Sequence, residues 1–224
     1  MSRLTALLPM KGHSERAPNK NIRDFAGRGP LFRQVYDLLA ACERVAEIII
    51  DTDSPRIMEL AEGLPKVKIV ERPKALHGDL VSMNDIIAHD LTQAAHEHLL
   101  QTHSTNPLLS KATLEAATER YFQALPEHDS LFSVTARQNR FYWPDGRPVN
   151  HNPEELLRTQ DLPPLYEENS CFYFFSPESF HRANRRRIGQ RPVLFPMSKL
   201  EAVDIDDEDD FALAEALARR LQRA

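Results

Sequence analysis

Two polar segments of the chain carry residue types that suit phosphate chemistry. The first spans residues 9–21 and follows an apolar run, Leu4 to Leu8, that predicts a buried strand. It combines three cations with a glycine and a hydroxyl: Lys11, Arg16, Lys20, Gly12 and Ser14. Because cations, a hydroxyl and exposed amides are what a polyphosphate requires, we predict a polyphosphate-binding loop. A polar surface loop with ordinary turn residues is the alternative.

The second segment is acidic and lies near the carboxyl end, with six acids among the seven residues 204–210. The alternation of apolar and acidic residues over 203–206 puts Asp204 and Asp206 on one face of an extended segment. Mg²⁺ prefers such oxygen ligands, usually completed by substrate phosphates. We predict that these two aspartates hold Mg²⁺. Residues 207–210 instead read as the acidic first turn of the last helix, which the helix dipole stabilises.

Alternating strand and helix patterns must position these segments. The predicted elements are a helix over Pro30–Val45, a strand over Glu47–Ile50, a helix with Ser54 as N-cap and Pro55 in its first turn, a strand over Val67–Val70, a helix opened by Ser82, a strand near Leu99, a helix over Leu114–Leu125, and strands over Ser130–Ala136, Cys171–Phe175 and Val193–Phe195. Such alternation favours a parallel sheet with crossover helices, and loops that leave its strands are where ligands bind in open α/β sheets.

Composition narrows the class of protein. A length of 224 residues fits one α/β domain over 1–224, and a net charge of −5 without a basic stripe argues against nucleic acid as a partner. Cys42 and Cys171 are too few for a disulfide framework, so we expect a cytoplasmic protein. We expect no membrane partner, because no apolar run approaches about 20 residues. The run Arg185 to Arg187 is predicted to be a solvated surface.

The first loop resembles the nucleotide-binding signature of the cytidylyltransferases that make CMP-activated sugar acids, typified by CMP-sialic acid synthetase. The residues that match the signature in place are Pro9, Gly12, Ser14, Pro18, Lys20 and Asn21. Lys11 replaces an arginine of the family, His13 a glycine and Glu15 a lysine. The resemblance implies that Lys11, Gly12, Ser14, Lys20 and Asn21 bind the nucleotide, and that the catalytic residues are Lys11, Lys20, Asp204 and Asp206.

Two further matches concern the base and the acceptor. Arg72-Pro73 and the segment from Asp79 to Ser82 resemble the part of the family that surrounds cytosine and ribose, although Ser82 also suits a helix N-cap. The run 99–109 resembles the family's Leu-Gln-Pro-Thr-Ser-Pro-Leu, with His103 at the position of the family's glutamine in an ungapped count. The alternative puts Gln101 there and accepts two inserted residues.

The run 157–170 resembles the family's Arg-x-Gln-Asp-Leu-Pro-Pro-Leu-Tyr-x-Glu-Asn-Gly. The resemblance implies that Arg158 holds the carboxylate of the acceptor, as a planar fork suits a planar anion. Gln160, Tyr166 and Asn169 would position hydroxyls or an acyl amide, and His103 would also touch the substrate. The surrounding excursion, about 137–170, would reach across a homodimer.

Together, the resemblance implies a Rossmann-like three-layer α/β/α nucleotidyltransferase fold with a mostly parallel sheet and a small β-rich dimerisation excursion. It implies transfer of CMP from CTP to the anomeric hydroxyl of a 2-keto sugar acid with Mg²⁺, releasing pyrophosphate. Two alternatives stay open: a nucleotidyltransferase with another acceptor or nucleotide, and a non-catalytic nucleotide-binding paralogue.

Overall fold

A computed structural model of the chain describes residues 2–222. The strands are β1 Leu4–Leu7, β2 Val45–Thr52, β3 Val67–Glu71, β4 His98–Thr102, β5 Ser130–Arg137, β6 Leu165–Phe175 and β7 Pro192–Pro196. The α-helices are α1 Leu31–Ala41, α2 Pro55–Ala61, α3 Met83–Leu91, α4 Lys111–Ala124, α5 Pro177–Arg182 and α6 Glu208–Leu221. Among the described residues, no helix is long and apolar enough to span a membrane.

The seven strands form one sheet in the order β3-β2-β1-β4-β6-β5-β7. Strands β1 to β4 are mutually parallel where they pair, and β5 pairs with β7 in parallel. Strand β6 is antiparallel to both of its neighbours, β4 and β5. The prediction of a mostly parallel sheet is confirmed. Since β2 and β4 flank β1 on opposite sides, the chain reverses direction across the sheet beside β1, which is where open α/β sheets hold ligands.

Helices cover both faces of the sheet. On one face, residues of α1, α2 and α4 pack with alternate residues of the central strands, among them Leu4, Ala6 and Leu100. On the other face, Leu7 and Leu99 pack with Ile87 of α3 and Phe180 of α5. Neighbouring strand residues therefore point to opposite cores, which is the period of two expected of a strand buried on both faces. The predicted three-layer α/β/α architecture is confirmed.

Several element boundaries differ from the predictions, most of all those of α1, β2 and β6. Helix α1 ends at Ala41 rather than at Val45, because Cys42 has extended backbone angles and its N–H bonds back to the Leu39 carbonyl. Strand β2 accordingly begins at Val45 and reaches Thr52. Strand β6 begins at Leu165, six residues before the predicted start at Cys171. Its first half is largely exposed, so apolar periodicity could not show it, whereas pairing with β5 makes it a strand.

The excursion between β5 and β6 is mostly irregular. Within the described residues 138–164, regular structure is confined to one antiparallel bridge, between Tyr142 and Pro148, and a short 3₁₀ turn over Thr159–Asp161. The bridge closes a turn between Tyr142 and Pro148. The β-rich part of the excursion is thus the start of β6 itself, paired with the end of β5.

Helix α6 begins as predicted from the acidic run. Asp207 is its N-cap, and its side chain accepts from the Asp210 N–H, while the Asp210 carboxylate accepts from the N–H groups of Asp206 and Asp207. This reciprocal capping fixes the end of the segment that carries Asp204 and Asp206. Ile205 between them is fully buried in the core beneath α6. The helix cap therefore presents the two aspartates at a defined edge of the sheet.

Candidate active site

A cleft of about 390 Å³ opens at the carboxyl ends of β1 and β4. Eight of the side chains proposed from the sequence line it: Lys11, Lys20, Asn21, Arg72, Asp79, His103, Asp204 and Asp206. These residues come from five separate parts of the chain, up to 195 positions apart in the sequence. The edge of the sheet brings the two phosphate-suited segments into one cavity.

The loop 9–21 is anchored through its ends. Asn21 is buried, its Nδ2 donates to the Lys11 carbonyl at 3.0 Å, and its Oδ1 accepts from Ser104 Oγ at 2.8 Å. Its side chain thus joins both ends of the loop to the segment after β4. Lys11 pairs with Asp79 across the mouth of the cleft, and its Nζ hydrogen bond lowers the pKa of the Asp79 carboxyl. In this structure the carboxylate of Asp79 is a counter-ion for a lysine that the sequence assigns to phosphate.

Gly12 lies against the start of α2. Its N–H donates to Asp53 Oδ1 at 2.6 Å, and a Cβ at this position would lie 2.8 Å from Ser54 Cβ. A side chain at residue 12 would therefore push the loop away from the end of β2. The glycine is required by this close approach and not by an unusual backbone angle.

We expect Gly12→Ala to lower kcat/KM for a nucleoside triphosphate by about 10- to 100-fold, because small displacements of a binding loop have effects of this size. The double variant Gly12→Ala/Ser54→Gly removes the opposing Cβ and should recover most of that loss. Glycine as an N-cap costs α2 only a few tenths of a kcal/mol relative to serine. Steady-state kinetics of the three proteins test this, and a double variant as impaired as Gly12→Ala would contradict the steric explanation.

Lys20 lies between the two predicted metal ligands. Its Nζ donates to the carbonyl oxygen of Ile205, the residue between Asp204 and Asp206. Burial lowers the pKa of Lys20, and the two aspartates oppose this effect. Asp206 is more exposed and accepts from Arg16 at 2.9 Å. A lysine from the first segment and two carboxylates from the second thus form one charged group.

The donor set of Asp204 and Asp206 fits Mg²⁺. Oδ1 of Asp204 is buried and has no hydrogen-bond partner among residues 2–222. Burial raises the pKa of Asp204, while a hydrogen bond from Thr105 and the charge of Lys20 oppose that shift, so a further positive partner would favour the ionised carboxylate. A hard cation supplies such a partner, with phosphate oxygens completing its shell. The residues present are therefore compatible with the predicted metal.

Arg72 forms one wall of the cleft and is held from behind by acidic groups. It is buried, and its Nε donates to Oδ1 of the fully buried Asp51. The other Asp51 oxygen faces Asp90 and His89, and the closest atoms of these three side chains lie within 4.8 Å of one another. Arg72 already balances one carboxylate, so a proton shared by Asp51 and Asp90 is a better fit to this cluster than a metal ion.

The buried pair makes a pH dependence that can be measured. Burial, with Asp51 alongside, raises the pKa of Asp90 to about 9 from an ordinary value of 3.8. Between these values the folded state retains a proton that the unfolded chain has lost, so the free energy of unfolding falls as pH rises. Asp90→Asn supplies a permanent donor to Asp51. We expect it to raise the Tm at pH 8 by about 2–4 °C, which corresponds to about 1 kcal/mol, and to flatten the slope between pH 4 and 9.

Thermal melts across this pH range provide the measurement. Asp37→Asn is the matched control, because Asp37 is an exposed surface carboxylate paired with Arg33. That control should leave the slope unchanged. An Asp90→Asn protein with the wild-type slope would show that Asp90 is ionised in the folded state at neutral pH.

His103 lies on the cleft wall among neutral and positive groups. Its Nε2 lies 3.0 Å from Gln101 Nε2 and 3.5 Å from Arg187 Nη1. Burial lowers the pKa of His103 to about 3, and the positive charges of Arg187 and Lys20 contribute to this shift. The imidazole is therefore neutral at physiological pH, and Nε2 is its acceptor nitrogen. Gln101, the alternative match for the family's glutamine, lies beside His103. Both candidate alignments therefore place a residue at the same part of the cleft wall.

Arg187 was predicted to lie on a solvated surface, and this prediction is wrong because the residue lines the cleft. Arg185 is solvated, with 54% of its side chain exposed, but Arg187 is only 17% exposed and lines the cleft. Ile188 packs into the core below α3 and α5, which holds the end of the arginine run against the protein. That single apolar residue after the run was the available signal.

The remaining predicted residues lie outside this cleft. Arg158 is 73% exposed and pairs with Asp161 in the excursion, and the Gln160 carbonyl and the exposed Tyr166 lie on the same excursion. Asn169 lines an adjoining hollow of about 410 Å³ that shares Ser170 and Asp204 with the cleft. Ser14 is buried within the loop, and Ser82 caps α3, which fits the structural alternative for it. A cleft formed by this chain alone therefore excludes Arg158, Gln160 and Tyr166.

Comparison with known proteins agrees with this arrangement. The model of the cytidylyltransferase family matches residues 5–220. A pseudaminic acid cytidylyltransferase of Campylobacter jejuni is 29% identical over 94% of this chain and 94% of its own. The post-translational flagellin modification protein B of Campylobacter coli is 26% identical over 98% and 96%. The solved structure of a CMP:2-keto-3-deoxy-manno-octonic acid synthetase with CTP superposes with a TM-score of 0.68 at 14% identity, covering all of both chains, and shows the same fold.

The sheet order and the cleft of cations facing carboxylates define a nucleotidyltransferase of the three-layer α/β type. Within that class, the chain belongs to the cytidylyltransferase family. The resemblance read from residues 9–21 is thereby confirmed at the level of the family.

Proposed function

We propose that this cytidylyltransferase transfers CMP from CTP to the anomeric hydroxyl of a 2-keto sugar acid and releases pyrophosphate. The observation that carries the proposal is the joining of Lys11 and Lys20 with Asp204 and Asp206 in one cleft. Cations alone would suit any anion, and carboxylates alone would suit any cation. Both together suit a metal-bound triphosphate.

The nucleotide half of the cleft would be built around the loop 9–21. Lys11 and Lys20 would meet the phosphates, with the backbone of Gly12 close to them. Arg72 would face the cytosine, whose O2 and N3 are acceptors that a guanidinium can satisfy. Asp51 behind Arg72 holds the guanidinium in place, so its donors are oriented before the base arrives.

The reaction would be an in-line substitution at the α-phosphorus of CTP. A bond forms from the anomeric oxygen to that phosphorus as the hydroxyl proton passes to solvent, the bond to the bridging oxygen breaks, and pyrophosphate leaves with the electron pair. Negative charge grows on the leaving phosphates, where Lys11 and Lys20 stabilise it. Mg²⁺ held by Asp204 and Asp206 would neutralise phosphate charge and raise the acidity of a bound hydroxyl. His103, being neutral, would position the acceptor by hydrogen bonding.

Pseudaminic acid is the first acceptor to test. Two of the matched relatives, from two serotypes of Campylobacter jejuni, carry the name pseudaminic acid cytidylyltransferase at 28% and 29% identity. Another relative, from Escherichia coli, is an N-acylneuraminate cytidylyltransferase at 23% identity. The 2-keto sugar acids share a carboxylate beside the reacting carbon and differ at distant substituents, so the acceptor panel should vary those substituents.

We further propose that the protein acts as a homodimer in the cytoplasm, with the excursion reaching toward the partner's cleft. The excursion exposes large apolar side chains that a partner could cover, including Trp143, Leu156 and Leu157. It also carries Arg158, Gln160 and Tyr166, which this chain's own cleft does not use. Light scattering after size-exclusion chromatography measures the mass directly. A monomer that is fully active would contradict the dimer proposal.

The test of function is pyrophosphate release with Mg²⁺, each of the four nucleoside triphosphates and a panel of 2-keto sugar acids. We expect turnover with CTP only, and fastest with one acceptor of the panel. Turnover with CTP and an acceptor that lacks the 2-keto acid group would show a nucleotidyltransferase with another acceptor. Tight CTP binding with no release from any pair would show a non-catalytic nucleotide-binding protein.

A further inference from the structure

The cleft contains a second positive region, formed by Arg187, away from the loop 9–21. Arg187 follows α5, and its guanidinium lies 3.6 Å from the ring centroid of Tyr173 on β6. Nη1 donates to Gln101 Oε1 at 2.6 Å, and Nη2 donates to the Tyr173 hydroxyl at 2.9 Å. Stacking and two directed hydrogen bonds hold the planar group in one orientation. The side chain is thus preorganised at the cleft wall.

The partners of Arg187 leave its charge incompletely balanced. Gln101, Tyr173 and His103 are neutral, and the one carboxylate partner among the described residues, Glu168, forms a long ion pair in which Oε1 lies 3.7 Å from Arg187 Nη2. That oxygen already accepts from the Tyr173 hydroxyl. A guanidinium that is mostly buried and has chiefly neutral neighbours favours a bound anion, because desolvation of an uncompensated charge is costly. The cleft is the side from which an anion can arrive.

Resting on the function proposed above, we propose that Arg187 binds the carboxylate of the acceptor and so selects 2-keto acids over neutral sugars. The planar fork of arginine matches a planar carboxylate. In the proposed function, Lys11 and Lys20 meet the triphosphate, and Asp204 and Asp206 hold its metal. The acceptor brings one further negative charge. Arg187 is a buried cation of the cleft that has no assigned role in binding the triphosphate or the metal.

This assignment differs from the one that the sequence resemblance implies for Arg158. Arg158 lies on the exposed excursion and is engaged in a bidentate pair with Asp161, at 2.7 and 3.0 Å. To reach a carboxylate in a cleft it would have to leave that pair and act on a neighbouring molecule. Arg187 needs neither step, because it lines the cleft of its own chain.

The experiment is a double-mutant-type cycle in which one change is made in the protein and the other in the acceptor. Wild type and Arg187→Met are each assayed with the 2-keto sugar acid and with its methyl ester, which keeps the sugar and loses the charge. We expect the wild type to prefer the acid by about 10- to 100-fold in kcat/KM, the range for a hydrogen-bonded charge. Arg187→Met should lose that preference, with kcat/KM for the acid reduced and that for the ester nearly unchanged. Arg187→Lys should recover part of the preference for the acid.

Controls separate a binding role from a structural one. Arg182→Met is the matched variant, because Arg182 is 67% exposed and pairs with Glu178 on α5. The Kd for CTP and the Tm are measured for every protein. Equal losses of Arg187→Met on acid and ester would overturn the proposal in favour of a structural role. Loss of acid preference in Arg158→Met, with Arg187→Met unaffected, would overturn it in favour of Arg158.

The two proposals fail in different ways. A wild-type protein that releases no pyrophosphate with any 2-keto acid refutes the proposed function before the cycle begins. A wild-type protein that turns over the acid, but whose preference for acid over ester survives Arg187→Met, refutes only the assignment of Arg187.

Discussion

Asp204→Asn is expected to lower kcat for pyrophosphate release by about 10³-fold, while the fold remains intact. The buried Oδ1 of Asp204 has no hydrogen-bond partner among the described residues and is the strongest candidate in the cleft for a metal ligand. Asparagine keeps the shape of the side chain and removes its charge. Loss of one charge that stabilises a transition state by several kcal/mol accounts for a change of this size.

The binding of Mn²⁺ in place of Mg²⁺, measured by electron paramagnetic resonance, gives a second readout that does not depend on turnover. We expect weaker binding in Asp204→Asn. Asp207→Asn is the matched control, because asparagine caps a helix as well as aspartate does and Asp207 serves only the cap of α6. Full activity of Asp204→Asn, or an equal loss in Asp207→Asn, would remove Asp204 from the proposed metal site.

Lys20→Met is expected to lower kcat by about 10²- to 10³-fold, which is the usual effect of removing one donor that stabilises developing charge. Lys20 is held by the Ile205 carbonyl between the two aspartates, and burial lowers its pKa. Its position makes it the lysine most constrained by the acidic segment. The positive charge of Lys20 repels a cation bound at Asp204 and Asp206. We therefore also expect Mn²⁺ to bind Lys20→Met at least as tightly as wild type.

Lys111→Met is the control for this loss, because Lys111 is a half-exposed residue of α4 that pairs with Glu115. It should match wild type in kcat and in Tm. Pre-steady-state measurement of pyrophosphate release distinguishes slow chemistry from slow product release. A Lys20→Met protein with wild-type single-turnover rate would show that Lys20 acts in binding or stability and not on the leaving group.

Local sequence determined much of this protein. The apolar runs of β1 and β2, buried on both faces, predict central strands, and the caps of α2, α3 and α6 follow from single residues such as Ser54 and Asp207. The loop 9–21 and the pair Asp204 and Asp206 could be found because residue types and spacing within one segment carry their signal. Each of these features depends on contacts between near neighbours in the chain.

Tertiary structure decided what distant segments do to one another. The pairing of Asn21 with Ser104, the buried carboxyl cluster of Asp51 and Asp90 behind Arg72, and the stacking of Arg187 on Tyr173 join residues far apart in sequence. Apart from the apolar Ile188 that follows the run, no local pattern distinguishes Arg187 from its solvated neighbours, because its environment is created by β4 and β6. The polar first half of β6 likewise becomes a strand only through its partner β5. Sequence predicted the phosphate and metal chemistry, whereas the wall that would meet the acceptor arises only when the sheet forms.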